Sequence, residues 1–186
     1  IPADRADAGQ LAAAFGEGAD LLVDCLCYTA ANARTLLPLA RYAGSTVMIS
    51  AKAVYVDADG NHANSPTPPR FHGPITEQQP TIRPAGPDTD YRTREGYGAS
   101  KIAAEHVLLD SGAPVTVLRP GKLHGVGACP PREWVFVKRA LDRRPAVFLA
   151  RGGRGVDQPT AATNIAALIE TVAANPGRRI LNSGDP

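Results

Sequence analysis

The apolar positions fall into alternating short strand-like and longer helix-like blocks. Asp7 to Phe15 spaces its apolar residues as a short helix, with Asp7 placed to cap it. Asp20 to Tyr28 contains the nearly unbroken run Leu-Leu-Val-Asp-Cys-Leu-Cys, the pattern of a parallel strand buried on both faces. Ala30 to Tyr42 predicts a helix ended by Gly44, with a kink or break at Pro38. Ser45 to Tyr55 opens as a second buried strand and runs into a turn. A helix is expected from Tyr97 to Leu109 and a third buried strand over Pro114 to Arg119. After these come an amphipathic helix from Arg132 to Asp142 and a short strand from Ala146 to Ala150. A helix from Thr160 to Ala174 and a last strand from Arg179 to Ser183 close the chain. Strands alternating with helices predict an α/β fold around a parallel sheet.

Residues 57–96 break the pattern. They hold seven of the seventeen prolines and show almost no periodicity. A stretch of this length reads either as a functional excursion over the carboxyl ends of the strands, where open α/β sheets bind ligands, or as a mobile surface insertion.

Composition narrows the class. At 186 residues, 44% hydrophobic and 20% charged, the chain is of ordinary globular make-up. A net charge of +2 calls for no polyanionic partner, and the basic residues are scattered, so nucleic acid is not expected. No apolar run reaches membrane-spanning length. Cys25, Cys27 and Cys129 have no metal-ligand spacing, nor do His62, His72 and His124, so no metal is expected. Cys25 and Cys27 read as buried thiols on one strand face, which fits a reducing, cytoplasmic setting. Arg151-Gly-Gly-Arg-Gly155 lacks the Lys-Ser/Thr of a phosphate loop and reads as a turn. There is no Gly-x-Ser-x-Gly elbow of the kind a serine hydrolase carries.

The candidate chemistry lies in Tyr97-Gly-Ala-Ser-Lys101. Four residues apart on a helix, a phenol and an ammonium share one face. Ala99, Ile102, Ala103 and Val107 form a different, packing face, so the Tyr–Lys pair is expected to point away from the packed side. A nearby cation favours phenolate and suits the tyrosine to proton transfer. On the same helix, Glu105 reads as the surface ion-pair partner of Lys101, and His106 as a packed side chain. Trp134 and Phe136 read as core residues.

The order of pieces resembles the extended short-chain dehydrogenase/reductase family, the NAD-dependent epimerase/dehydratase group. The matching residues are Asp4, Ala19-Asp20-Leu-Leu-Val, Ile49-Ser50 with Val54-Tyr55, Tyr97-Gly-Ala-Ser-Lys101-x-Ala-Ala-Glu105, and Leu118-Arg119-Pro120 with Gly125. The resemblance implies a Rossmann-like parallel sheet and NAD or NADP as cofactor. It implies hydride transfer at a secondary alcohol or carbonyl of a small-molecule substrate. Tyr97 would be the acid/base. Lys101 would hold the nicotinamide ribose and depress the Tyr97 pKa. Asp4 would contact adenine, Leu26, Cys27 and Tyr28 would border the ribose, and Pro120 would lie near the nicotinamide. Residues 1–128 would form a partial cofactor domain and 129–186 the start of a small substrate region.

The chain departs from the family pattern in three places. The Gly-rich turn that seats the pyrophosphate would lie upstream of Asp4, which implies an N-terminally truncated domain. The exposed sheet edge this leaves would favour association between copies of the chain. The family's catalytic Ser or Thr falls at Ala51; Ser50, one residue earlier, substitutes only where the chain turns or bulges. Losing that hydroxyl would cost about 2–4 kcal/mol of barrier. Pro120-Gly121-Lys122 stands where nucleotide-sugar members carry an Asn, which argues against such a substrate. Three functional readings stay open: an oxidoreductase or epimerase-like enzyme, a non-catalytic binding or regulatory protein that keeps the fold and, weakest, a nucleic-acid-binding relative of the family, given the Arg content.

Overall fold

The computed structural model describes residues 1–153 and 158–185. Four parallel strands form the main sheet in the order β1 (Ala19–Asp24), β2 (Ala43–Ile49), β3 (Val115–Pro120) and β6 (Arg179–Ser183). Two short strands, β4 (Lys122–His124) and β5 (Pro159–Ala161), pair in parallel beside it. The helices are α1 (Ala8–Phe15), α2 (Ala30–Ala40), α3 (Arg94–Leu109), α4 (Trp134–Leu141) and α5 (Ala162–Ala174).

Alternation along the strands divides the core in two. Met48, Val115 and Val117 face α2 and α3, where Ala33, Leu36, Leu39, Ala104 and Leu108 meet them. Val47 and Leu118 face the other way and pack on Ile165 and Val172 of α5. The result is a three-layer α/β arrangement, as the strand–helix alternation predicts. Every residue of β3 is buried, as befits an inner strand. β1 is the edge strand, and its burial is thinner than its apolar run suggests. Ala19, Asp20 and Val23 are exposed, since among the described residues β1 pairs only with β2. It also ends at Asp24, so Cys25 to Tyr28 form a loop in which Cys25 is exposed and Cys27 is buried.

Local chemistry sets the helix ends. Asp7 accepts hydrogen bonds from the amides of Gly9 and Gln10, and Thr29 and Asn32 form a reciprocal capping box on α2. α2 runs through Pro38 to Ala40 without the expected break; only its last turn lies beyond the proline. α3 begins three residues before Tyr97, where the Thr93 hydroxyl accepts from the Gly96 amide at 3.0 Å. Gly96 is required there, since a Cβ would lie 2.1 Å from the Asp90 carbonyl oxygen.

Residues 57–93 are folded back on the core. The Asp57 carboxylate accepts from the amides of Asp59, Asn61 and Arg70. Ile82 and Val56 make backbone bonds that close a loop over Val54, Tyr55 and Ile102. Asn182 of β6 fastens the far side: its amide nitrogens bond Glu77 at 2.7 Å and the Ile75 carbonyl at 3.0 Å, and its Oδ1 accepts from the Tyr55 hydroxyl at 2.6 Å.

The C-terminal part departs most from the sequence pattern. Residues 146–149 join no strand among the described residues. Residues 150–153 form a 3-10 turn, and the rest of the Arg151–Gly155 turn lies outside the described residues. Trp134 and Phe136 are not core residues: each is about half exposed, at 50% and 52%. Val137 and Leu141 of α4 and Phe148 beyond it are exposed as well.

Candidate active site

The Tyr97–Lys101 pair lies where the carboxyl end of β2 and the loop after β1 meet the first turns of α3. It is buried rather than turned outward. Lys101 is 2% exposed, and its Nζ donates to the carbonyl oxygens of Cys27 and Ile49, each at 2.9 Å. An ammonium has three protons, so two are spent on backbone. The Tyr28 ring covers the remaining side, with its centroid 4.4 Å from Nζ. Burial lowers the Lys101 pKa to about 8, against the pull of Cys27, Asp24 and Glu105.

Tyr97 is half-buried, and its ring centroid lies 6.4 Å from that of Tyr28. Its pKa is raised, first by burial and then by Tyr28. That direction is opposite to the depression by Lys101 that the resemblance implies, because burial disfavours the phenolate. Tyr28 also stacks on Tyr91 at 5.3 Å, and the Arg92 guanidinium lies 5.1 Å over Tyr91.

One turn beyond Lys101, the structure corrects the sequence reading. Glu105 makes no surface pair. It is fully buried and accepts from Arg119 Nη2 at 2.5 Å, Arg119 Nε at 3.2 Å and Ser50 Oγ at 2.5 Å. The Arg119 guanidinium rests 4.9 Å over the Tyr55 ring, and its Nη1 has no hydrogen-bond partner among the described residues. Ser50 thus lies beneath the site with its hydroxyl engaged by Glu105. His106, read as packed, is exposed on the outer side of α3.

The other candidates divide by position. Cys27 is fully buried and serves the site through its carbonyl; burial, then the Asp24 carboxylate, pushes its thiol up to about 12. Leu26 is exposed at the same loop, and Pro120 is buried at the end of β3. Asp4 is exposed and turned to its own segment, accepting from the Ala6 amide at 2.9 Å. Sequence reasoning missed the pair beside it. Arg5 bonds Asp24 at the end of β1, and Asp24 also accepts from the Leu26 amide at 2.8 Å, which fixes the loop that leads to Cys27 and Tyr28. The signal available was a carboxylate inside an otherwise apolar strand. Among the described residues, no group of His, Cys, Asp and Glu could hold a metal ion. Nor is any helix there long and apolar enough to cross a membrane.

Comparison with solved structures places this geometry on a known scaffold. A dTDP-glucose 4,6-dehydratase from Bacillus anthracis, solved in complex with NAD, matches 99% of the chain with a TM-score of 0.69 at 19% identity. The Streptomyces venezuelae dTDP-glucose 4,6-dehydratase DesIV, with NAD and DAU bound, matches 97% with a TM-score of 0.65 at 22% identity. The chain shares their fold. A UDP-glucuronic acid 4-epimerase from Bacillus cereus, in complex with UDP-glucuronic acid and NAD, matches 83% with a TM-score of 0.55 at 19% identity. The resemblance to the epimerase/dehydratase group is therefore borne out as a Rossmann-like α/β fold. The chain spans little more than half of the two dehydratases, 57% and 56% of their lengths. By sequence, no family model and no curated protein matches it.

Proposed function

We propose that the chain is the part of an NAD(P)-dependent oxidoreductase or epimerase-like protein that holds the nicotinamide ribose and moves the proton. One observation carries this reading: Lys101, buried and held by the carbonyls of Cys27 and Ile49, stands one helical turn from Tyr97. A buried cation with a donor left over suits a ribose hydroxyl, so the residues present fit that end of a dinucleotide. The Gly-rich turn that would seat the pyrophosphate is not among these residues, and no residue here is assigned to it. When bound, a nicotinamide would supply or accept the hydride.

In this reading Tyr97 keeps its proton at neutral pH, since its pKa lies above the ordinary tyrosine value. It therefore serves first as a proton donor to a carbonyl oxygen that gains charge. Lys101 binds and orients. Glu105 and Arg119 act beneath it, holding the neighbouring ends of α3 and β3 in register. The substrate is a small molecule with a secondary alcohol or carbonyl.

The second reading, a binding or regulatory protein without turnover, draws on Ala51 and on Ser50, whose hydroxyl is spent on Glu105. Titration of the chain with NADH and NADPH, followed by nicotinamide fluorescence, tests the first reading. Saturable binding that is lost in Lys101→Ala supports it. No binding at millimolar cofactor would overturn it for this chain. Turnover with a carbonyl substrate that collapses in Tyr97→Phe, while binding persists, would separate the two readings.

A further inference from the structure

Four groups stack in a column above the buried end of α3: Arg92, Tyr91, Tyr28 and Lys101. The contacts are 5.1 Å from guanidinium to ring, 5.3 Å between rings at an interplanar angle of 14°, and 4.4 Å from ring to ammonium. A cation meets a π-face at each end of the column, so each of these contacts is attractive. The column joins three parts of the chain: the loop after β1, the end of the Pro-rich segment and α3. It ends on the side of Lys101 not used by the carbonyls of Cys27 and Ile49.

We infer that Tyr28, held by Tyr91, is a plug on Lys101: a ligand hydroxyl reaches the ammonium only when the Tyr28 ring swings aside. This rests on the reading of Lys101 as the ligand-facing cation. The geometry assigns unequal roles to the two tyrosines. Tyr28 makes the contact, and it does so with its ring face, not its hydroxyl. Tyr91 is the latch. It is half-buried near the end of the long loop and stacks on the ring that covers Lys101. A ligand that binds here replaces one cation–π contact with a hydrogen bond and releases the 91–92 segment, so loop opening and ligand binding are coupled. The same ring lies 6.4 Å from Tyr97, so its departure also opens one side of Tyr97.

The test reads Lys101 directly. The chain is acetylated with trace acetic anhydride, and the rate at each lysine is followed by peptide mass spectrometry, with Lys138, half exposed on α4, as internal standard. Tyr91→Ala should speed acetylation of Lys101 by roughly three- to tenfold, the factor that weakening one such contact implies. Tyr28→Ala should speed it further, and Tyr28→Phe should leave it as in the unaltered chain, because the ring face remains. NADH should bind more tightly to Tyr91→Ala by a similar factor. Equal Lys101 rates in the unaltered chain and in Tyr91→Ala would overturn the plug. Tyr91 is only half-buried, so this outcome can be read whether or not Tyr28→Ala folds. Faster acetylation in Tyr91→Ala without NADH binding in any variant would uphold the plug and sink the nicotinamide reading instead.

Discussion

Helices α3 and α4 each reverse what their sequence leads one to expect. α3 carries Lys101 and Glu105 on what reads as a solvated side, yet both are among the largest fully buried side chains, while His106, read as packed, is exposed. α4 carries Trp134, Phe136, Val137 and Leu141, a pattern that belongs in a core, yet none of its residues is buried. The difference lies in what surrounds them. α3 is flanked by α2, the loop after β1, the end of β2 and β3, which offer the Cys27 and Ile49 carbonyls, Ser50 and Arg119 to its polar groups. Among the described residues, no packed layer buries the apolar side chains of α4. Periodicity tells which residues share a face; it does not tell whether a neighbour will cover that face, or with what.

The comparison can be broken most severely at Glu105. Glu105→Ala leaves the Arg119 guanidinium buried and unpaired, which should cost about 3–5 kcal/mol in urea unfolding. A loss under about 1 kcal/mol would mean that the network is hydrated and the burial of α3 shallower than described. Leu108→Ala, on the apolar side of the same helix, should cost about 2–4 kcal/mol as a cavity opens against Leu36 and Val117. On α4, Leu141→Ser should change stability by no more than about 0.5 kcal/mol, since its side chain is 68% exposed. The protein has a single Trp, so fluorescence quenching by iodide reports on α4 alone. Ready quenching of Trp134 is expected, and a shielded Trp134 would show that the helix face is covered after all.

A titration sharpens the contrast. Lys101 acetylation followed against pH should reach half its limiting rate near pH 8, where an ordinary lysine does so near about 10.4. The sign follows from burial, which disfavours the charged amine, so the nucleophilic neutral form appears at lower pH. A midpoint above about 10 would mean that the ammonium is solvated. The smallest effect is expected for Lys138→Ala, which removes an exposed pair with Asp142 and should shift stability by no more than about 0.5 kcal/mol.

Much of the fold was legible because strands and helices alternate with clear spacing. The Asp7 cap and the inner strands β2 and β3 follow from local chemistry that the sequence states outright. The site was legible as a pair, Tyr97 and Lys101, since i and i+4 share a helix face. Its setting was not. That Lys101 would spend two protons on Cys27 and Ile49, or that Glu105 would reach Arg119 and Ser50, depends on contacts across 14 to 74 residues of chain. The Tyr28–Tyr91 stack was hidden for the same reason. The strand expected at Ala146–Ala150 failed because a short apolar run forms a strand only where a sheet edge is there to receive it.

Asn182 carries a consequence for the order in which the chain matures. The Tyr55 hydroxyl, Glu77 and the Ile75 carbonyl all converge on it, at separations of 105 to 127 residues. Contacts this distant form late, after nearer ones have already been made. On the ribosome, α2, β2 and α3 emerge and can pack long before β6 exists. The loop that frames the Tyr97–Lys101 pair then waits for the last strand to clear the exit tunnel. Stalled nascent chains ending before Arg179 should be cut by protease within residues 57–93, whereas chains with Ser183 well clear of the tunnel should resist. Equal susceptibility would refute that order. Maturation of the site is thereby timed by synthesis of β6, although neither Tyr97 nor Lys101 belongs to it.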